Sequence, residues 1–102
     1  MFTSFEFEFL DKHIQVSKNV FIRIFSDNVG DQHFQWHRDK KNRYVKVICA
    51  DSDWQFQFDN QLPFNLSDYQ EIFVEKEVYH KLHKGKGKLI LVIKEVDNVD
   101  TN

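Results

Sequence analysis

His37 and Asp39 stand two positions apart in the run WHRD. Alternate residues of an extended strand share a face, about 6.6–6.8 Å apart along the chain. Imidazole and carboxylate therefore point the same way if the strand runs through Arg38. In the run VYHKL, His80 shares its face with Val78 and Leu82, an apolar pair that directs it inward. A neighbouring strand carrying His80 would complete a set of two imidazoles and one carboxylate. This is the donor set of the facial triad that holds non-haem Fe(II) and leaves positions open. It also suits Zn²⁺, Mn²⁺ or Ni²⁺, and a metal in such a site activates water or polarises a carbonyl or hydroxyl of a small molecule. A plainer reading uses the same residues. His37 alternates with Phe34 and Trp36, so its face is then the wet one, with Arg38 and Asp39 in an exposed hairpin loop. His80 is then a core histidine hydrogen-bonded to backbone.

Other reactive side chains read more simply. His33 lies four residues from His37, about 13 Å along an extended chain, and is rejected as a primary ligand. His13 is remote from both segments, and His83, beside KGKGK, reads as an exposed imidazole. Cys49 is the single cysteine. It cannot form an intramolecular disulfide, which favours a reducing, cytoplasmic setting, and its apolar run VKVICA reads as housing a buried, inert thiol. KGKGK lacks the spacing of a phosphate-binding loop and precedes a strand, so it is a turn. The aromatics of WQFQF alternate with Gln and Asp rather than basic residues, so they read as core and not as a base-stacking platform. No nucleophile elbow or Ser-His-Asp order is present.

The elements that must position these residues follow period two. Strands are expected at 5–9, 20–25, 33–37, 43–49, 54–59, 71–75, 78–83 and 89–96, with the 71–83 stretch either two strands or one bent strand broken near Lys76–Glu77. Turn clusters fall at 26–31, 38–43, 51–53 and 84–88. Only LSDYQEI offers a helical turn, with Ser67 as a cap. About eight strands at this spacing predict a single all-β domain, a small sandwich or barrel, with 97–102 as a frayed tail. Its 102 residues are one domain's worth, and 41% hydrophobic with eleven Phe is enough to build a core and too apolar for disorder. Net charge is −2, so no basic field draws nucleic acid or anionic membrane. No apolar run approaches the roughly 20 residues of a membrane helix, and the acidic N-terminal run does not read as a leader. Phe5, Phe7, Phe9, the apolar faces of 20–25 and Trp36 exceed what one small barrel hides, which predicts that the strands of 5–25 pack on the barrel or at a homodimer interface.

The stretches WHRDKKNRYVKVICADSDWQFQFDNQLPFNL (36–66) and IFVEKEVYHKL (72–82) together resemble the two motif regions of the cupin superfamily, small jelly-roll barrels, and in particular its short single-domain, uncharacterised members. The resemblance implies a cupin-like jelly-roll barrel. It matches His37 to the first motif histidine, Asp39 to the second and His80 to the histidine of the second motif, and so implies all three as metal ligands. Arg43 stands near where the family's motif glutamate falls, and there its planar fork would hold an anionic group of a ligand. The Pro-x-Gly turn and the glycine closing the first motif are replaced by EKEVYH and Ala50-Asp51-Ser52. Cupin-like proteins often form dimers, which again points to a homodimer. The expectation is a divalent metal (Fe, Mn, Ni or Zn), a small polar ligand, or both, inside the barrel, with no reaction assigned. The alternative is a metal-free jelly roll acting through protein–protein contact.

Overall fold

The computed structural model describes residues 11–28, 30 and 34–96. The strand expected at 5–9, His33 and the tail 97–102 lie outside them. Eight strands are named: β1 (Asp11–Gln15), β2 (Val20–Ser26), β3 (Asn42–Ser52), β4 (Gln55–Phe58), β5 (Phe64–Asn65), β6 (Glu71–Val74), β7 (His80–His83) and β8 (Lys86–Val96). They form two antiparallel sheets, a larger one ordered β1-β2-β8-β3-β6 and a smaller one ordered β5-β4-β7. This is the all-β architecture that the alternation predicted, and no α-helix occurs among the described residues.

The two longest strands sit together in the larger sheet because their β-branched and Leu residues fit a pleated, half-buried surface. Along β8, Leu89, Leu91 and Ile93 turn inward and are buried, while their neighbours face out. Phe21 and Phe25 of β2 pair in register with Ile93 and Leu89, so the same face continues across strands. Val47 joins from β3, and Trp54 and Leu82 close the core from the side of the smaller sheet. Trp54 is 1% exposed and its indole N–H donates to the Lys86 carbonyl at 3.2 Å, which satisfies its one polar atom. Phe25, Phe34 and Trp54 pack with ring centroids 6.1–6.5 Å apart.

Several local expectations change. Of the strand expected at 33–37, the described residues 34–37 do not form one: the chain turns at Phe34 and Gln35 and pairs only at His37, which bridges to His80. Phe34 is buried while Trp36 is 45% exposed, so the two do not share a face. β1 and β5 were not anticipated; the first follows an apolar run that obscured its start, and the second is two residues long. Asp51 and Ser52 extend β3, and the reversal falls on Asp53, with φ 63°. A bulge between Val47 and Cys49 breaks the alignment of Val45, Val47 and Cys49. The 71–83 stretch is two strands in different sheets, parted at Lys76–Glu77, with Glu77 at φ 66°. In the connection to β8, Gly85 is buried where any Cβ would meet the backbone of Ser52 and Trp54.

Candidate metal centre

His80 opens β7, whose inward positions are His80 and Leu82, so the histidine points into the barrel as its neighbours predicted. It is 4% exposed, and its ring lies nearly parallel to Phe56, 5.5 Å between centroids. His37 and Asp39 lie on the connection into β3. That connection runs against β7: His37 and His80 exchange backbone hydrogen bonds of 3.0 and 2.9 Å, and the Glu77 N–H donates to the Asp39 carbonyl at 2.8 Å. Asn42, buried at 6%, holds the turn that makes this possible, its side-chain oxygen accepting the Lys76 N–H at 2.8 Å. Sequence reasoning missed Asn42, because its partner is remote in the chain.

The three side chains converge. One ligand atom from each of His37, Asp39 and His80 lies within 4.8 Å of the others. His80 Nε2 is 3.2 Å from Asp39 Oδ2, and His37 Nε2 is 4.0 Å from Asp39 Oδ1. The two rings meet edge to face, with centroids 4.4 Å apart. His80 is buried, Asp39 nearly so, and His37 is exposed at the mouth.

The hydrogen bonds set the tautomers. His80 Nδ1 is 2.8 Å from the Val78 carbonyl and His37 Nδ1 is 3.0 Å from the Gln35 carbonyl. A carbonyl only accepts, so in each neutral ring Nδ1 carries the proton and Nε2 carries a lone pair. Both lone pairs lie on the Asp39 side. Asp39 Oδ2 is itself buried and accepts no hydrogen bond, since His80 Nε2 is near without being aligned. Acceptors facing one another away from water repel unless a proton or a cation stands between them. Burial is the largest single influence on the Asp39 carboxyl and raises it; the hydrogen bond and charge that His80 supplies when its Nε2 carries a proton, the Arg43 guanidinium and a protonated His37 together outweigh it and hold Asp39 below the usual carboxylate range.

The residues fit a divalent ion. Bonds of about 2.1 Å in a tetrahedral site place neighbouring donors about 3.4 Å apart. Asp39 and His80 already stand at that separation, and the exposed His37 ring is the member with freedom to close. Imidazoles that donate their other N–H to a backbone carbonyl are the usual orientation of metal-binding histidines.

Arg43 is next to the trio. Its NH1 lies 3.4 Å from Asp39 Oδ1, while Nε and NH2 donate to Glu95 Oε2 at 3.2 and 2.8 Å. The guanidinium also lies over Phe21, 5.4 Å from the ring centroid. Trio and arginine line one cavity of about 110 Å³, whose other walls are mostly apolar and include Phe25, Phe56, Leu66 and Val74. Arg23 lines it too. It went unnoticed in the sequence, although a charge inside a strand with two apolar faces was the available signal.

The remaining candidates lie elsewhere. His13 stacks on Phe21 and bonds Gln15. His83 is partly buried rather than exposed, hydrogen-bonded to Gln57 at 2.8 Å, and burial pushes its imidazole down. Cys49 is only partly buried, and its thiol donates to Asp51 at 3.3 Å. Its hydrogen bond to the Asp51 carboxylate pushes it up, with burial adding to the shift, so it is a poor nucleophile chiefly because of Asp51.

No protein-family model and no curated protein matches the chain. Solved structures do. The DMSP lyase DddQ from Ruegeria pomeroyi superposes with a TM-score of 0.67 at 10% identity over 100% of this chain and 53% of its own. A cupin-2 domain containing protein from Shewanella frigidimarina gives 0.57 at 18% identity over 84% and 79%. FeII HppE gives 0.58 at 17% over 76% and 41%. At such identities the likeness is one of fold, and together with the two antiparallel sheets it shows that this chain has the cupin fold, a small jelly-roll barrel.

Proposed function

We propose that the protein binds a divalent transition metal inside the barrel through His37 Nε2, the Asp39 carboxylate and His80 Nε2, with a small polar ligand at the positions left open. The observation that carries this reading is buried Asp39 Oδ2, which accepts no hydrogen bond although a lone-pair nitrogen of His80 stands 3.2 Å away. Fe(II), Mn²⁺, Ni²⁺ and Zn²⁺ all accept two imidazoles and a carboxylate. When bound, such an ion acts as a Lewis acid on a ligand oxygen or a water. The chain itself does the positioning. Gln35 and Val78 carbonyls fix the two imidazoles, Phe56 covers the His80 ring, and Arg43 orients Asp39. A guanidinium has five N–H donors, and those of Arg43 that Glu95 does not take are assigned to an anionic end of the ligand.

Elemental analysis of protein purified without a His-tag or chelator tests this, beside His80→Ala. Near-stoichiometric metal that is absent from the variant is the expected result. No metal in the wild type, and no thermal shift on adding Fe(II), Mn²⁺, Ni²⁺ or Zn²⁺, would sink the reading.

A second reading has its own observation. The outer face of the larger sheet is apolar and partly exposed: Tyr44 is 47%, Phe73 41% and Ile14 37% exposed. A groove of about 440 Å³ there is lined by Tyr44 and Phe73, whose rings pack 4.9 Å apart, and by Lys46, Glu71 and Lys94. This face extends onto β1 and β2 through Ile14 and Ile22, and it supports contact with a second copy of the chain. Light scattering of wild type and Tyr44→Glu checks it: a dimer converted to monomer is expected, and a monomeric wild type refutes it. Among the described residues no helix is long and apolar enough to cross a membrane.

A further inference from the structure

We infer that Glu95 is a positioning residue of this site: it holds the Arg43 guanidinium off Asp39 Oδ2 and so keeps that oxygen free for the metal. The inference rests on the proposed metal site for what the free oxygen binds, and not for the hold that Glu95 has on Arg43.

A guanidinium beside a carboxylate tends to close on it as a two-point fork, with N···O separations of about 2.7–2.9 Å. Arg43 and Asp39 do not do this. NH1 stands 3.4 Å from Oδ1, and buried Oδ2 accepts no hydrogen bond. The cause lies on the other side of the guanidinium. Its Nε–NH2 edge, which could make such a fork, is committed to Glu95 Oε2 at 3.2 and 2.8 Å. Phe21 lies against the face of the group, 5.4 Å from ring centroid to guanidinium carbon, and limits its rotation.

Glu95 is fixed where it can exert this hold. In the ladder between β3 and β8 it lies directly opposite Arg43, so both side chains rise from the same face. Its own N–H donates to the Asn19 carbonyl at 2.8 Å, which anchors the end of β8. The side chains of Asp39, Arg43 and Glu95 are 12, 23 and 25% exposed, so water screens their attractions only in part. Two carboxylates compete for one guanidinium, and the one across the ladder takes its forking edge. Without the Glu95 charge, Asp39 is the carboxylate that the guanidinium faces. A fork closed on both Asp39 oxygens would neutralise the carboxylate and occupy Oδ2, and a metal would have to displace it. The Arg43–Glu95 pair thus leaves Oδ1 oriented by Arg43 and Oδ2 open beside His80 Nε2, 3.2 Å away.

The test compares wild type, Glu95→Ala and the double variant Glu95→Ala/Arg43→Met. Calorimetry with Fe(II), Mn²⁺, Ni²⁺ and Zn²⁺ reads affinity, and crystal structures of metal-free wild type and Glu95→Ala read the guanidinium. Glu95→Ala is expected to weaken metal binding about ten- to a hundredfold, the range for losing a supporting contact in a metal site. Its structure is expected to show Arg43 on both Asp39 oxygens. The double variant also lacks the guanidinium, and is expected to bind metal more tightly than Glu95→Ala alone. A merely structural role for Glu95 gives the opposite sign, because a second substitution in the same cluster then adds damage. Wild-type affinity in Glu95→Ala overturns the inference and leaves the metal reading standing, as does a double variant no tighter than the single one. If wild type binds none of the four metals, the metal reading falls and the crystal structures decide this inference. A guanidinium closed on Asp39 in Glu95→Ala then keeps it, and one that stays where wild type has it overturns it. Should Glu95→Ala not fold, Glu95→Gln, which keeps the shape and removes the charge, takes its place in each comparison.

Discussion

The two ends of the barrel interior are built on different terms. Around Trp54, side chains are interlocked and satisfied: Trp54, Leu89 and Val47 are at most 1% exposed, and the indole N–H has its carbonyl. Around His80 the interior holds a cavity, two arginines, a buried imidazole and a carboxylate oxygen without a hydrogen bond. A packed apolar end gains free energy from every contact, whereas buried polar groups cost free energy until a partner arrives. Stability is concentrated at one end and the capacity to bind at the other. Residues of the first end should therefore alter unfolding, and residues of the second should alter what is bound.

The largest expected effect is at the packed end. Trp54→Ala should cost about 3–5 kcal/mol, read as a fall in Tm of more than about 12 °C. A shift of a degree or two would mean that the two ends do not differ as described. Next comes the polar end, where removing metal should act through linkage, because an ion that binds only the folded chain stabilises it. A chelator is expected to lower the Tm of wild type and to leave that of His80→Ala unchanged; equal shifts in both would refute the assignment of His80.

Asn42 lies between the two regimes, since it touches neither metal nor ligand yet holds the turn that brings Asp39 beside β7. Asn42→Ala strands the Lys76 N–H and should cost about 1–3 kcal/mol. It should also weaken metal binding about tenfold, as loss of a supporting hydrogen bond does in metal sites. Asn42→Asp retains the acceptor and should restore most of the metal affinity, which a merely bulky role would not do. The smallest effect is at Cys49, outside both ends. With its thiol pushed up by Asp51, less thiolate is present at any given pH, so iodoacetamide should react more slowly than with a free thiol. A rate equal to that of free cysteine would show that the Asp51 contact does not hold in solution.

Much of this architecture is written in local alternation. Leu89, Leu91 and Ile93 announce β8, Phe21 and Phe25 announce β2, and Val78 and Leu82 put His80 inside, because side-chain direction in a strand repeats every two residues whatever lies across from it. His37 and Asp39 were paired by the same alternation, although the folded chain carries them on a connection and not in a strand. What alternation could not supply is distance. His37 and Asp39 meet His80 because a connection, not a strand interior, bends against β7. That bend depends on Glu77 taking a left-handed φ of 66° without the help of glycine, and on Asn42 holding the adjacent backbone. Arg23 likewise looked like an interruption in an apolar strand until the register with Leu91 placed it on the cavity wall. Periodicity is a property of neighbours in the chain and decides which way each residue faces; proximity is a property of register and turns, and only the folded sheets decide which facing residues meet.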